Sequence, residues 1–226
     1  MEKHYLTIVI PARNEERTIA EIVTKCKQHS DDVMVIDGHS QDKTREIAKK
    51  CGAKVYMDHS KGKGEALRCG IEKAQGEILV FIDADGSHDP DDIPRVIQPI
   101  IAGSAEHVST SRMRGGSDEL HGDFGKFLRM IGSDIITLGI NYRFNVRLTD
   151  SQNGFRAIKK DVAKKLSLRE NITTIEQEMI IKTLKKGYRI FEVPVHEFKR
   201  KYGESCIVLS RVWLRYVFSW LKYLLF

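Results

Sequence analysis

Asp83 and Asp85 stand one residue apart at the end of the apolar run EILVFID, and Asp89, Asp91 and Asp92 follow closely. Like charges this crowded repel one another unless something positive lies between them. Hard carboxylate oxygens at this spacing suit Mg2+ or Mn2+, ions commonly shared with a substrate pyrophosphate. The later three acids read differently, because Asp89-Pro90 makes a good helix start. Two further stretches carry polar groups after apolar runs. One is PARNEE, with Pro11, Arg13, Asn14 and Glu15, and the other is DGHSQDKT, with Asp37. An acid such as Asp37 can hold a ribose hydroxyl or a base N–H, and Asn14 can cap a helix. In HSKGKGEAL, Gly62, Lys63 and Gly64 precede a helical pattern, an arrangement that welcomes anions.

These groups need elements to position them. The runs LTIVI (6–10), DVMVID (32–37), AKVYM (53–57) and EILVFID (77–83) read as buried parallel strands. Helical patterns alternate with them. Asn14 is expected to cap the first, with Ile19, Ile22, Val23 and Cys26 on one face. Ser40 is expected to cap a second that stops at Gly52, and Gly64 opens a third ending near Gly76. Four βα units predict a right-handed, doubly wound α/β sheet whose ligands sit at the carboxyl ends of the strands. By that rule Asp83 and Asp85 emerge on the ligand rim. Farther on, HVSTSR (107–112) predicts a strand and GGSDELHGD a polar, glycine-rich loop. Helical periodicity covers 124–138 and 174–186, and YRIFEVPVHEF (188–198) reads as a strand that Pro194 places at an edge.

Composition excludes several classes. A chain of 226 residues with 41% hydrophobic and 30% charged residues is an ordinary globular one. The net charge of +6 points to a nucleotide, a phosphate or a membrane surface, and no nucleic-acid partner is expected. Cys26, Cys51, Cys69 and Cys206 share no short metal-ligand spacing, which suits reduced thiols in a cytosolic setting. No G-x-G-x-x-G follows the first strand, which disfavours a dehydrogenase.

In this order, PARNEE, VIDGHSQDKT, GKGEAL, FIDADGSHDP, TSR, TDSQNGFRA and RKYGES resemble the motifs of family 2 inverting glycosyltransferases. More narrowly, they resemble dolichyl-phosphate mannose synthases and related polyprenyl-phosphate glycosyltransferases, over residues 5 to about 206. The resemblance implies a GT-A fold, with a Rossmann-like, mostly parallel central sheet flanked by helices. It implies a nucleotide-sugar donor held by residues at Pro11, Arg13, Glu15, Val35, Asp37, Asp83 and Ala84. It also implies a cation, Mg2+ or Mn2+, on Asp83 and Asp85, with Ser87 at the position where some members complete the metal shell with Gln. Arg112 in TSR matches an arginine facing phosphates, Asp150 and Arg156 fit the D-x-x-S-G-F-R segment, and Arg200 matches a basic residue near both substrates. Asn153 stands where Ser is usual in that segment, His39 departs from D-D-G-S, and Cys206 replaces a usual Lys.

The expected reaction is inverting transfer of a hexose to dolichyl or polyprenyl phosphate, an acceptor already nucleophilic at neutral pH. Arg112, Arg129 and Arg200 are candidates to hold its phosphate. The alternatives are a family 2 transferase with a soluble glycan or protein acceptor, where Asp150, Glu176 or Glu178 would serve as base, and a non-enzymatic binding module. The segment SRVWLRYVFSWLKYLLF (210–226) predicts a basic-edged amphipathic helix, too short to span a bilayer and suited to its surface. Packing in a core or across a homodimer interface is the other reading of its apolar arc. The expected organisation is a GT-A domain over 1–206 and a membrane-surface helix over 207–226, peripheral at the cytoplasmic face.

Overall fold

The computed structural model describes residues 5–118, 124–202 and 209–226. The first half is the alternation the sequence predicts. Strands β1 (Leu6–Ala12), β2 (Asp32–Asp37), β3 (Lys54–Met57) and β4 (Ile78–Phe81) are separated by helices α1 (Ile19–His29), α2 (Thr44–Lys50) and α3 (Lys63–Lys73). After β4 a 3-10 turn, Pro90–Asp92, leads into α4 (Ile93–Ile101), and β5 (His107–Ser111) runs into the short α5 (Arg112–Gly115). The remainder comprises α6 (Phe124–Phe144), β6 (Arg156–Lys159), α7 (Lys160–Lys165), α8 (Ile175–Lys185), β7 (Ile190–Pro194) and α9 (Leu209–Leu225).

All seven strands form one sheet in the order β3-β2-β1-β4-β6-β5-β7. Only β6 runs against its neighbours, pairing antiparallel with both β4 and β5. Continuous apolar runs become strands because both faces are covered. On one face Ile8, Ile10, Val33 and Val35 pack with residues of α1 and α4. On the other, the alternate residues Val9, Met34 and Ile36 pack with α3, α7 and α8. A third cluster joins Ile136 and Ile140 of α6 to Ile180 and Ile181 of α8 and Tyr223 and Leu224 of α9.

Several expectations change. β3 lies at the sheet edge with Lys54 and Met57 exposed, so it is not the buried strand its composition suggests. Asn14 does not cap α1, which starts at Ile19 behind Thr18. Ser40 does not cap α2 either; Asp42 accepts the Thr44 N–H at 3.0 Å. Asp89 does accept the Asp91 N–H, at 3.2 Å, and Pro90 opens the turn before α4. β7 is an edge strand, as Pro194 requires. Helix α6 continues six residues past Leu138. The strand β6 has no counterpart in the sequence reading. Gly203 and Cys206 of RKYGES, the 206/207 boundary and part of GGSDELHGD lie outside the described residues.

Candidate active site

The parallel strands β1, β2 and β4 deliver their carboxyl ends to one rim. The loops after β1 and β2 are stitched together there. The Asn14 N–H donates to Ser40 Oγ at 2.9 Å, and Asn14 Oδ1 accepts the Gln41 N–H at 2.8 Å. The Glu15 N–H donates to Thr44 Oγ1 at 2.8 Å. Asn14 thus holds a loop crossing, with φ of +57°. Asp37 is fully buried; its Oδ2 accepts the Ser40 N–H, while Oδ1 has no partner among the described residues. Pro11 is half-buried and Arg13 exposed beside it. Val35 packs into the core, so its side chain does not reach the rim.

Beyond β4 the chain enters a cavity of about 790 Å3. Lys63, Asp83, Asp85 and Ser87 line one wall, and Arg112, Arg129, Asp150 and Arg200 line others. Ala84, between the two acids, is buried and does not line it. The two acids that motivated a cation are each met by one already. Lys63 Nζ lies 2.7 Å from Asp83 Oδ1 and 3.0 Å from Glu176 Oε1. Arg200 Nη2 lies 2.7 Å from Asp85 Oδ2, and its Nη1 is 3.6 Å from Glu15 Oε1. Ser87 serves Asp85 directly, its hydroxyl donating to Oδ1 at 2.7 Å and its N–H at 3.0 Å. Burial alone would push the Asp83 carboxyl up, but the Lys63 ammonium overrides it and holds the group below its ordinary range. Glu15 goes the other way. Burial, reinforced by Asp85 and Asp83, pushes it up to about 7 against the pull of Arg200.

The arginine side is equally built. Arg112 at the start of α5 forks onto Asp150, through Nε at 2.6 Å and Nη2 at 3.2 Å, and its Nη1 donates to Glu197 at 3.1 Å. Three of a guanidinium's five N–H groups are thereby fixed, leaving two for a ligand. Burial opposes ionisation of Asp150, yet Arg112 outweighs it and keeps the carboxyl low. Asp150 is therefore a buried anchor for Arg112. Glu192 of β7 orders the same loop, accepting from the Thr149 and Asp150 N–H groups at 2.7 and 3.0 Å. Arg156 is fully buried and does not line the cavity; it donates to the carbonyls of Asn153 and Glu176 and so ties two walls together. Gly154 marks a close approach, because a Cβ there would lie 2.6 Å from Lys63 Nζ and 2.7 Å from Asp83 Oδ2.

Sequence reasoning missed Glu192 and Glu197, whose only signal is an acid within a strand-like run around Pro194. It also missed that Leu128 and Ile135 of α6 and Trp213, Tyr216 and Trp220 of α9 line the same cavity. The cavity is thus lined by polar groups near the strand ends and by both apolar residues and Arg129, Ser133 and Asp134 on the helical side. The candidate bases are all engaged: Asp150 by Arg112, Glu176 by Lys63, and Glu178 by Lys182 and the Arg169 and Glu170 N–H groups.

Hard oxygen donors, and the two side-chain cations that stand at Asp83 and Asp85, fit a site for a divalent ion. Among the described residues no group of three His, Cys, Asp or Glu gathers in ligating geometry.

Comparison with known proteins agrees with this architecture. A UDP-N-acetylglucosamine–dolichyl-phosphate N-acetylglucosaminyltransferase of Methanococcus voltae is 31% identical, covering 90% of this chain and 89% of its own. A dolichol-phosphate mannosyltransferase of Pyrococcus furiosus is 26% identical over 96% of this chain, which spans 64% of that relative. The glucosyl-3-phosphoglycerate synthase of Mycobacterium tuberculosis, solved with Mn2+, UDP-glucose and phosphoglyceric acid, superimposes with a TM-score of 0.77. That match covers 98% of this chain and 80% of the other, at 22% identity, and shows the shared GT-A-like fold. Residues 7–167 match glycosyl transferase family 2, and the chain belongs to that family as a glycosyltransferase.

Proposed function

We propose that this glycosyltransferase moves a hexose, with inversion, from a nucleotide sugar to dolichyl or a related polyprenyl phosphate at a membrane surface. The observation that carries this reading is the cavity's mixed lining. Paired acids and arginines from the strand-end side line it together with apolar residues of two helices, Leu128 and Ile135 of α6 and Trp213, Val217 and Trp220 of α9. A lipid phosphate has chemistry for both, and the names of the relatives that act on dolichyl phosphate support the same acceptor.

Asp83 and Asp85 would hold Mg2+ or Mn2+, the remaining ligands coming from substrate and water. The cation supplies positive charge against the departing nucleoside diphosphate. The chain's own residues do the rest. Asp37, at the stitched rim, offers its unpartnered oxygen to the nucleoside. Arg112, fixed by Asp150 and Glu197, presents its remaining N–H groups to phosphate, and Arg129 and Arg200 add charge from α6 and from beyond β7. A lipid phosphate is anionic at neutral pH, so attack needs positioning and no general base. That agrees with a site in which Asp150, Glu176 and Glu178 are already paired.

The membrane side is a pair of helices. Phe127, Leu128, Ile131, Ile135, Leu138 and Tyr142 make an exposed apolar stripe on α6. Trp213, Leu214, Val217, Phe218, Leu221 and Leu225 make another on α9, whose opposite side packs into the protein through Tyr223 and Leu224. Among the described residues no helix is long and apolar enough to cross a membrane. Interfacial docking of these stripes fits a peripheral enzyme, and free Cys26, Cys51 and Cys69 suit a cytoplasmic face.

The test incubates the protein with Mn2+ or Mg2+, dolichyl phosphate and a panel of UDP- and GDP-sugars. The expected product is a lipid-linked sugar of inverted anomeric configuration. Hydrolysis alone, or transfer only to a soluble glycan, overturns the reading.

A further inference from the structure

Buried polar atoms without partners are costly, so a group of them around one cavity points to a ligand that completes them. Four such atoms belong to residues that line the cavity: Nε1 of Trp220 on α9 and three on polar side chains. Nδ2 of Asn153, Oε2 of Glu176 and Nε2 of His88 are buried, and none has a hydrogen-bond partner among the described residues. Their side chains are otherwise fixed. Asn153 Oδ1 accepts the Phe155 N–H at 3.0 Å, which sets the amide's orientation and leaves Nδ2 over. Glu176 Oε1 is held by Lys63 at 3.0 Å, leaving Oε2 over. His88 Nδ1 sits 3.2 Å from Ser87 Oγ, leaving Nε2 over.

Two of these residues, Asn153 and Glu176, are tied to one place. Asn153 precedes Gly154, whose backbone abuts both Lys63 Nζ and Asp83 Oδ2. Glu176 reaches that same ammonium, and Arg156 clamps the backbone carbonyls of Asn153 and Glu176 to each other. The turn at 153 needs only an oxygen to accept the Phe155 N–H, which a serine hydroxyl can also supply. The amide nitrogen is a donor beyond what the fold requires. Nor does Lys63 need the second oxygen of Glu176.

We infer that Asn153 and Glu176 form a specificity clamp for the transferred sugar, the amide N–H donating to a ring hydroxyl and the free carboxylate oxygen accepting from one. The inference rests on the nucleotide-sugar reading of the cavity and deepens it. A fixed donor and a fixed acceptor, on residues whose backbones Arg156 ties together, match hydroxyl groups, which give and take at once. Because the acceptor is a carboxylate whose ammonium partner is already shared with Asp83, the clamp selects neutral hexoses and rejects hexuronates by like-charge repulsion.

The test is a calorimetric titration of the full chain in Mn2+ with UDP, UDP-glucose, UDP-N-acetylglucosamine, UDP-glucuronate, GDP and GDP-mannose. Wild type should bind at least one neutral nucleotide sugar and should bind UDP-glucuronate at least tenfold more weakly than the preferred hexose nucleotide. In Glu176→Gln and Asn153→Ser, affinity for that nucleotide sugar should fall about tenfold while affinity for the free nucleoside diphosphate stays within twofold. Equal weakening of both ligands in these variants, no weakening of either, or a wild type that prefers UDP-glucuronate overturns the clamp and leaves the donor reading standing. A wild type that binds none of the nucleotide sugars removes the donor reading and the clamp together. Circular dichroism checks folding; if Glu176→Gln does not fold, Asn153→Ser decides by the same criteria.

Discussion

The guanidinium of Arg200 lies 2.7 Å from Asp85, joining the segment after β7 to the carboxylate pair that ends β4. The contact brings together residues 115 positions apart and gives the second acid of the pair its own positive partner. Asp85→Ala should abolish metal-dependent transfer. Arg200→Ala should lower turnover about 10²-fold, as expected for losing one preorganised charge at a site of developing negative charge. Steady-state assays with Mn2+ check both, and near-normal turnover of either variant removes that residue from the machinery.

Lys63 is shared by Asp83 and Glu176, with Glu176 almost wholly buried. Lys63→Ala leaves two acids facing each other without their cation, which should cost about 3 kcal/mol of stability. Adding Glu176→Gln should recover part of that loss, since one of the stranded charges disappears. Urea denaturation of the two variants measures the difference. A double variant no more stable than the single one would show that the pairing is not what stabilises this wall.

Glu15 is raised from its ordinary value of 4.5 to about 7 in the folded protein, by burial first and by Asp85 and Asp83 next. Between those pH values the folded state holds a proton that the unfolded chain has released. Stability must therefore fall as pH rises from about 4.5 to 7, the reverse of a salt-bridged acid. Glu15→Gln should flatten that part of the profile. Denaturant midpoints at pH 5 and pH 8 provide the check, and an unchanged slope in the variant would assign the pH dependence elsewhere.

Leu214 and Phe218 lie on the exposed stripe of α9, 63% and 70% accessible. Replacing both with Glu should weaken binding to anionic vesicles by about 10²-fold or more, given roughly 1.5–3 kcal/mol for each large apolar side chain buried. Thermal stability should barely move, because neither side chain is buried in the protein. Sedimentation with vesicles, beside a melting curve, separates the two effects. Unaltered sedimentation would take the docking surface away from α9.

The parts of this fold legible in the sequence are those with local causes. Strands β1, β2 and β4 carry unbroken apolar runs because helices cover both their faces, and Asp83 follows from its place after such a run. The Asp89-Pro90 start is equally local. β6 escaped because RAIK is four residues long and begins and ends in a basic residue, and its strand identity comes from β4 and β5 on either side. Arg156 looks like a phosphate ligand by type, yet the fold turns it inward to two backbone carbonyls. Asn14 has a capping residue's chemistry and spends it on the neighbouring loop. Glu192 and Glu197 matter through partners more than 40 positions away, a relation no local pattern records.

Helix α9 is pinned as well as packed. Gln177 Nε2 donates to the Tyr216 carbonyl at 3.0 Å, Tyr216 meets Thr173 through its hydroxyl, and a Cβ on Gly139 of α6 would lie 2.2 Å from the Trp220 ring. The helix that carries Glu176 and the helix that would rest on the bilayer therefore share one rigid mount. On a membrane, such a mount sets the height of the reaction centre above the headgroups, much as a fixed stage sets a working distance. A lipid phosphate would then be met at the same depth whatever the length of the tail beneath it. Rates should follow headgroup chemistry and stay nearly constant across polyprenyl phosphates of different isoprene number.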